Sequence, residues 1–452
     1  MNNAVPAFFL ALFFCAAAIP SAAQTGDIDR YRQTIRYGTE TEINKLIQIL
    51  RQEKITSLDT ELQNLAVNTK SAQLRQSLVA YFTQSNSDAL SASVLDFLRA
   101  RNELDSNLIS VSLDYTAKKG GPEAAPVLKD IIENGETRHQ GQALKAYGKV
   151  LKQGGASEKE AGAEFLLGFY REKANSDETR RVIIEALGEG EFSQASEFLA
   201  GLINNGDENS VLRGAALNAA GKLGDTAGDS QLRKAVTGAL NAPEPLVRME
   251  AVGALGAFAG AESDAALLDA LRDSFFRTRY AAVKALSTRK LPAAVEFLEY
   301  RAKNDEAANV REESVQTLGA YQSAAADTSL EAIYDDKHTP EKVRLLAAEM
   351  LVKNHPGKYT KKFMTDMDEA KRSKQKSLYA GLVKALSASN GNDAQALVEA
   401  LLAGADVADQ SYALDIIGNN KLSRFRPRIE QIAEDPKNSL NQKAKITLEK
   451  LK

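Results

Sequence analysis

The sequence predicts an all-α fold: an α-solenoid, a superhelical stack of about twelve antiparallel helix pairs. Three observations predict it. One apolar pattern returns every 31 to 35 residues through most of the 452-residue chain. Each copy places its apolar residues at the spacing of one face of a 3.6-residue helix. Helix breakers and caps recur between the copies, whereas the alternation that marks strands is missing.

The pattern is clearest where copies align directly. Val211 to Gly221 (VLRGAALNAAG) matches Leu246 to Gly256 (LVRMEAVGALG), and the frame returns at Arg279, Arg311 and Arg344. With the Arg as anchor, apolar or small residues stand at +3, +4 and +7, and often Gly at +8, as at Gly188, Gly221, Gly256, Gly319 and Gly418. Weaker copies anchor at Arg75, Asn107, Gln140 and Arg180, and others at Tyr379, Gln410 and Asn441. Val383 to Ser387 repeats Val283 to Ser287 letter for letter. Each anchored helix follows a second amphipathic stretch, such as Ser193 to Ile203, Ala293 to Tyr300 or Ala396 to Leu402. Between them stand Asn205-Gly206-Asp207, Asn241-Ala242-Pro243 and Leu291-Pro292, which cap and break helices. A pair of short helices cannot bury its apolar face alone, so copies must stack on one another.

The motif Val-Arg-x-x-Ala-Val/Leu-x-x-Leu-Gly, as in Val247 to Gly256 and its variant at Val310 to Gly319, resembles the second helix of a HEAT repeat. The resemblance, which extends to the phycobilin lyase HEAT-like type, covers nearly all of the chain after the leader. It implies one array over 24–452: weaker repeats over 24–150, an enlarged loop near 152–157, the clearest repeats over 179–352 and basic repeats over 353–452. The only long gap between anchors, from Gln140 to Arg180, holds Gly154-Gly155 and reads as that enlarged loop or a mild hinge. The resemblance also implies a structural part for Arg213, Arg248, Arg279, Arg311 and Arg344. Each is expected to pair with acidic or backbone oxygens at an inter-repeat turn, near Asp207, Glu208, Asp273, Asp305 and Asp336. The Gly at +8 reads as a close-packing or cap position.

The first residues address the compartment. Ala7 to Ile19 is almost wholly apolar and is followed by Pro20-Ser21-Ala22-Ala23. Such a run, too short to span a bilayer and ending at small residues, is the signature of a secretory signal peptide over 1–23. Met1 to Pro6 holds no Lys or Arg, a departure that keeps a retained anchor as the alternative. The expectation is an exported protein, periplasmic or otherwise extracytoplasmic.

Composition argues against most chemistry. There are 57 basic and 60 acidic side chains, one Cys, no Trp and three His. A net charge of −3 does not suit a general nucleic-acid binder. His139, His338 and His355 are far apart and none is followed by Glu, unlike the iron-binding His-Glu pairs of deoxyhypusine hydroxylases. Nor does the chain have the Trp-lined basic groove of alkylpurine DNA glycosylases. GxSxG, GxxxxGK[ST] and HExxH are absent. The expectation is a non-enzymatic protein without cofactor.

Two surfaces remain as binding candidates. Anchor +5 should be the most outward position of the second helices, on the concave side of the stack. That column reads Lys145, Glu185, Asn218, Gly253, Lys284, Gln316, Glu349, Lys384 and Asp415. Its mixed charge suits a protein or an extended peptide better than a uniform polymer. The second surface is basic: Lys361, Lys362, Arg424, Arg426 and Arg428 belong to charge runs after Lys353. These runs read either as a solvated helix face or as a peripheral contact for anionic lipid or polysaccharide. The expected function is therefore an envelope scaffold binding another protein, with envelope-surface binding as the alternative.

Overall fold

A computed structural model describes residues 22–172, 176–227, 230–387, 391–404 and 406–451. The expected leader over 1–23 lies outside them except for its last two positions. Among the described residues there are 26 α-helices, six short 3-10 helices and no strand. They form thirteen consecutive helix pairs, divided between two compact units that meet in sequence after Phe192.

The first unit holds five pairs. Their second helices are Glu40–Glu53, Ala72–Gln84, Ser106–Lys119, Thr137–Leu151 and Asp177–Glu189, and each packs on the next. Local chemistry sets the starts. Thr39 and Glu42 form a reciprocal capping box, and Ser71, Asp105 and Ser176 accept from the first backbone N–H groups of their helices. The pair ending in Glu40–Glu53 is the one that the anchor count of about twelve omits. Its anchor position holds Ile43 instead of a hydrogen-bonding side chain.

The residues between anchors Gln140 and Arg180 also differ from expectation. The turn after Leu151 covers only 152–155, and Ala156 and Ser157 open a 17-residue helix, Ala156–Glu172. The extra length is helix and not an enlarged loop. Glu158 supplies the reason: its carboxylate accepts from the Gly155 N–H at 2.7 Å and fixes the helix start.

The second unit holds eight pairs, with second helices Ser210–Leu223, Pro245–Leu255, Phe276–Arg289, Ala308–Tyr321, Glu341–Asn354, Lys376–Leu386, Val407–Asn419 and Asn441–Lys450. In this unit the residues at +3, +4 and +7 form the core in every pair but the last, where Lys445 at +4 is exposed. Ala216, Leu217 and Ala220, then Ala251, Val252 and Leu255, then Ala282, Val283 and Leu286 are inaccessible to solvent. Ser314, Val315, Leu318, Ala347, Ala348 and Leu351 continue the column. Burying one Val or Leu side chain contributes roughly 1.5–3 kcal/mol, so cohesion is distributed evenly along the stack. No helix among the described residues is long and apolar enough to cross a membrane.

Candidate functional site

The anchor arginines close the hairpins. Arg213 Nε donates to the Ile203 carbonyl at 3.2 Å, and Arg344 Nε to that of Tyr334 at 2.7 Å. Arg248 Nη1 reaches the Ala242 carbonyl at 2.9 Å, Arg279 Nη1 that of Asp273 at 2.8 Å, and Arg311 Nη1 that of Glu306 at 3.1 Å. Each accepting carbonyl lies at the end of the first helix of the same pair or in the turn after it, where carbonyls lack helical partners. Arg75, Gln140 and Asn441 do the same work with the Ala66, Ile132 and Ala433 carbonyls.

A second set of bonds runs between pairs. Arg248 grips Asp273 of the next turn with two bonds of 2.7 and 3.0 Å, and Arg279 grips Asp305 with two of 2.7 Å. Arg213 reaches Glu244 at 3.1 Å. Each aspartate also folds the turn before the next helix by accepting from a backbone N–H two residues on: Asp273 from that of Phe275 at 2.7 Å and Asp305 from that of Ala307 at 3.0 Å. The backbone oxygens thus lie in the turn inside each hairpin, and the acidic link to the next pair is made by Glu244, Asp273 and Asp305; among the described residues no bond joins Arg213 to Asp207 or Glu208, or Arg344 to Asp336. The Asp305 side chain has no exposure at all. Burial pushes its carboxyl up, but Arg279, the Ala307 N–H and Arg301 together hold it below the ordinary range. Asp273, also penalised by burial, is held low by Arg248 and the Phe275 N–H.

The +5 column stands on the outer ridge of the second helices. Lys145, Asn218, Gly253, Lys284, Gln316, Lys384 and Asp415 are exposed, and Glu185 and Glu349 are half-buried. Several of these residues are engaged by neighbouring ridges. Lys145 lies 3.8 Å from Glu185, Asn218 donates to Glu250 at 2.9 Å, and Lys443 to Asp415 at 2.5 Å. Other ridge positions continue this polar ladder. Tyr280 donates to Glu313 at 3.1 Å, Lys342 to Glu312 at 2.6 Å and Ser377 to Glu341 at 2.5 Å, and Tyr379 donates to Asp409.

One junction differs. Between Pro245–Leu255 and Phe276–Arg289 no side-chain hydrogen bond or ion pair joins the two helices directly among the described residues. An open groove of about 760 Å³ runs there instead. Met249, Phe276 and Tyr280, all half-buried, line it together with the small residues Gly253, Gly256, Ala281 and Ala285. Gly253 leaves the ridge open: a Cβ placed on it would meet no atom within 4 Å. Arg277 and Lys284 stand exposed on one wall and lie over the rings of Phe276 and Tyr280, 5.8 and 5.9 Å from their centres. Of this groove the sequence column contained Gly253 and Lys284. Met249, Phe276 and Tyr280 were missed because they belong to flanking ridges.

The basic candidates are divided between two first-helix regions. Lys362 lies 3.2 Å from Asp335, Arg424 2.6 Å from Glu399, and Arg426 3.9 Å from Glu430. Arg428 donates to the Gln431 side chain at 3.1 Å, and Lys361 is exposed. Among the described residues no group of three or more His, Cys, Asp or Glu could hold a metal ion. His139 is buried beside Ser106, 3.1 Å from Nε2. Burial, aided by Arg138, pushes its pKa down. His355 Nε2 stands 2.8 Å from Asp327.

A family model described as spirochaete HEAT repeat protein matches residues 35–447. No curated protein matches the chain. Similar solved structures include importin-β crystallised in polyethylene glycol, 12% identical over 95% of this chain and 70% of that one, TM-score 0.46. Yeast importin-β (Kap95p) is 10% identical over 94% of this chain and 66% of its own, TM-score 0.48. Human deoxyhypusine hydroxylase is 18% identical over 58% of this chain and 98% of its own, TM-score 0.24.

Proposed function

The chain belongs to the spirochaete HEAT repeat protein family, and from that premise we propose that it is an exported scaffold of the cell envelope, without catalysis of its own, which holds another protein against the ridge of its second helices. Stacked HEAT repeats are in general a protein-interaction architecture. The observation that carries the reading is the register of that ridge. The +5 position is exposed in seven of the nine pairs read and half-buried at Glu185 and Glu349, and its occupants change from Lys145 to Asn218, Gln316 and Asp415 along the chain. Mosaic chemistry of this kind matches a folded protein surface, where contacts differ from point to point. Export rests on the apolar run from Ala7 to Ile19 and the small residues after it.

Envelope-surface binding through the basic C-terminal repeats has weaker support. Lys362, Arg424 and Arg426 face carboxylates of this same chain, which lowers the field they offer to an anionic surface.

Photo-cross-linking residues at Asn218, Gln316 and Lys384, introduced one at a time in intact cells, test the scaffold reading. A single protein captured in stoichiometric amount from at least one position is expected. Absence of any protein adduct at all three would end the proposal. Sequencing the mature N-terminus tests export separately: it should begin near Gln24, and a cytosolic chain still carrying Met1 would overturn that part.

A further inference from the structure

Resting on the scaffold reading, we infer that the groove between Pro245–Leu255 and Phe276–Arg289 is a docking site for an acidic, extended segment of the partner protein that inserts an apolar side chain. Elsewhere in the second unit, neighbouring ridges engage each other's polar groups, as Asn218 does with Glu250 and Tyr280 with Glu313. Here the Arg248–Asp273 link ties Pro245–Leu255 to the next turn, but no side-chain bond joins the two second helices to each other among the described residues, and the surface left open has the two parts such a segment needs. The small side of the lining, Gly253, Gly256, Ala281 and Ala285, beside Met249, Phe276 and Tyr280, leaves room for a Leu- or Phe-sized side chain. Aromatic and Met walls of this kind favour an apolar anchor, because they add contact area with little ordering cost.

The charge selects the sign of the partner. Arg277 and Lys284 have no carboxylate within ion-pairing distance among the described residues, and each lies against an aromatic ring of the groove wall. The one acid in the lining, Glu250, accepts from Asn218 of the preceding pair. Two cations against one engaged carboxylate favour aspartates or glutamates flanking the anchor. A peptide is a better occupant than a membrane or a nucleic acid, because the feature is a single slot with apolar walls and not a long track of positive charge.

The test measures fluorescence anisotropy of the full chain with a labelled peptide carrying Leu and Phe between runs of Asp. The same peptide with Lys in place of Asp is the control. Binding of the acidic peptide that weakens as salt rises is expected. Gly253→Leu fills the groove from a position with free space, so it should fold and weaken binding about tenfold or more. The double variant Arg277→Glu, Lys284→Glu should lose the acidic peptide and gain the Lys version. Equal binding of both peptides by the unaltered chain, or indifference to Gly253→Leu, overturns the inference. So does capture of phosphatidylglycerol vesicles or single-stranded DNA that disappears in the double variant while the peptide does not bind. The cross-linking positions Asn218, Gln316 and Lys384 lie outside the groove lining. Adducts there without peptide binding therefore sink the groove alone and leave the scaffold reading in place.

Discussion

At the scale of single residues, the chain separates anchors that hold charge from anchors that hold only backbone. Arg279 and Asp305 are almost fully buried and doubly bonded, whereas among the described residues Arg344 has the Tyr334 carbonyl as its one hydrogen-bond partner. Removing Arg279 leaves the buried Asp305 carboxylate with Arg301, 3.2 Å away, and the Ala307 N–H as its remaining partners. Arg279→Met should therefore cost up to about 3 kcal/mol, the lower end for a broken buried pair, against about 1 kcal/mol for Arg344→Met, read from urea midpoints of the two variants. Equal losses would contradict the distinction. The same pair sets a pH dependence. Because Asp305 is held below its ordinary value, its contribution is complete above the unfolded aspartate pKa of about 3.9 and is lost as pH falls through the lower folded value. Urea midpoints should stay level from neutral pH to about pH 5 and then fall. The fall should be shallower in Asp305→Asn, and an identical acid limb would remove Asp305 from the explanation.

Residues of this kind were partly legible in the sequence. The arginine column was visible because five guanidinium groups recur in one frame, and a charge that repeats in register signals a geometric duty. The first helix pair was not visible, because Ile43 makes no hydrogen bond with its side chain and so leaves no letter to align. The pairing of the basic candidates was hidden for a related reason. Lys362 and Arg424 lie in runs of like charge, but the acids that face them, Asp335 and Glu399, stand about one repeat earlier in the chain. Charge counted along a line cannot find partners supplied by stacking.

At the scale of the helix, close approach is set by missing side chains. Gly148 lies at anchor +8 in Thr137–Leu151, and a Cβ there would overlap the Ala186 carbonyl oxygen on the next second helix. Gly221 and Gly418 occupy the same place at other junctions, with neighbours 3.0 Å away. Gly141, about two turns earlier in the first of these helices, faces open space. The two glycines therefore answer opposite questions in one helix. Gly148→Ala must push backbone apart and should destabilise by about 1–3 kcal/mol. Gly141→Ala gains helix propensity at no steric cost and should stabilise by up to about 1 kcal/mol. Thermal unfolding of the two variants checks the pair, and a stabilised Gly148→Ala would mean that the junction is looser than it looks. The groove follows from the same logic in reverse. At Gly253 the missing side chain faces solvent, so an opening results where Gly148 gives a contact. A sequence column shows both as glycine, and only the neighbouring helix distinguishes them.

At the scale of the whole molecule, the repeats fix how damage should spread. Within each unit a pair touches chiefly the pairs before and after it, and no strand order or distant crossover ties remote segments together among the described residues. Stability in such an array is approximately a sum of repeat terms and nearest-neighbour terms. A weakened junction should therefore open locally, with the effect fading over adjacent pairs, instead of lowering protection everywhere. Hydrogen exchange read by mass spectrometry makes this concrete. Gly148→Ala should accelerate exchange in Thr137–Leu151 and Asp177–Glu189 and leave Ala308–Tyr321 unchanged. Arg279→Met should do the converse, raising exchange around Phe276–Arg289 and Ala308–Tyr321 while sparing Ala72–Gln84. Uniform acceleration across all thirteen pairs in either variant would show a single cooperative body. The additive account of the stack would then have to be given up. The local outcome also bears on binding, since a partner held on the ridge stabilises the native form by mass action. In a one-dimensional array that protection should be greatest at the pairs it touches, so the exchange map of the complex would locate the contact whatever the partner is.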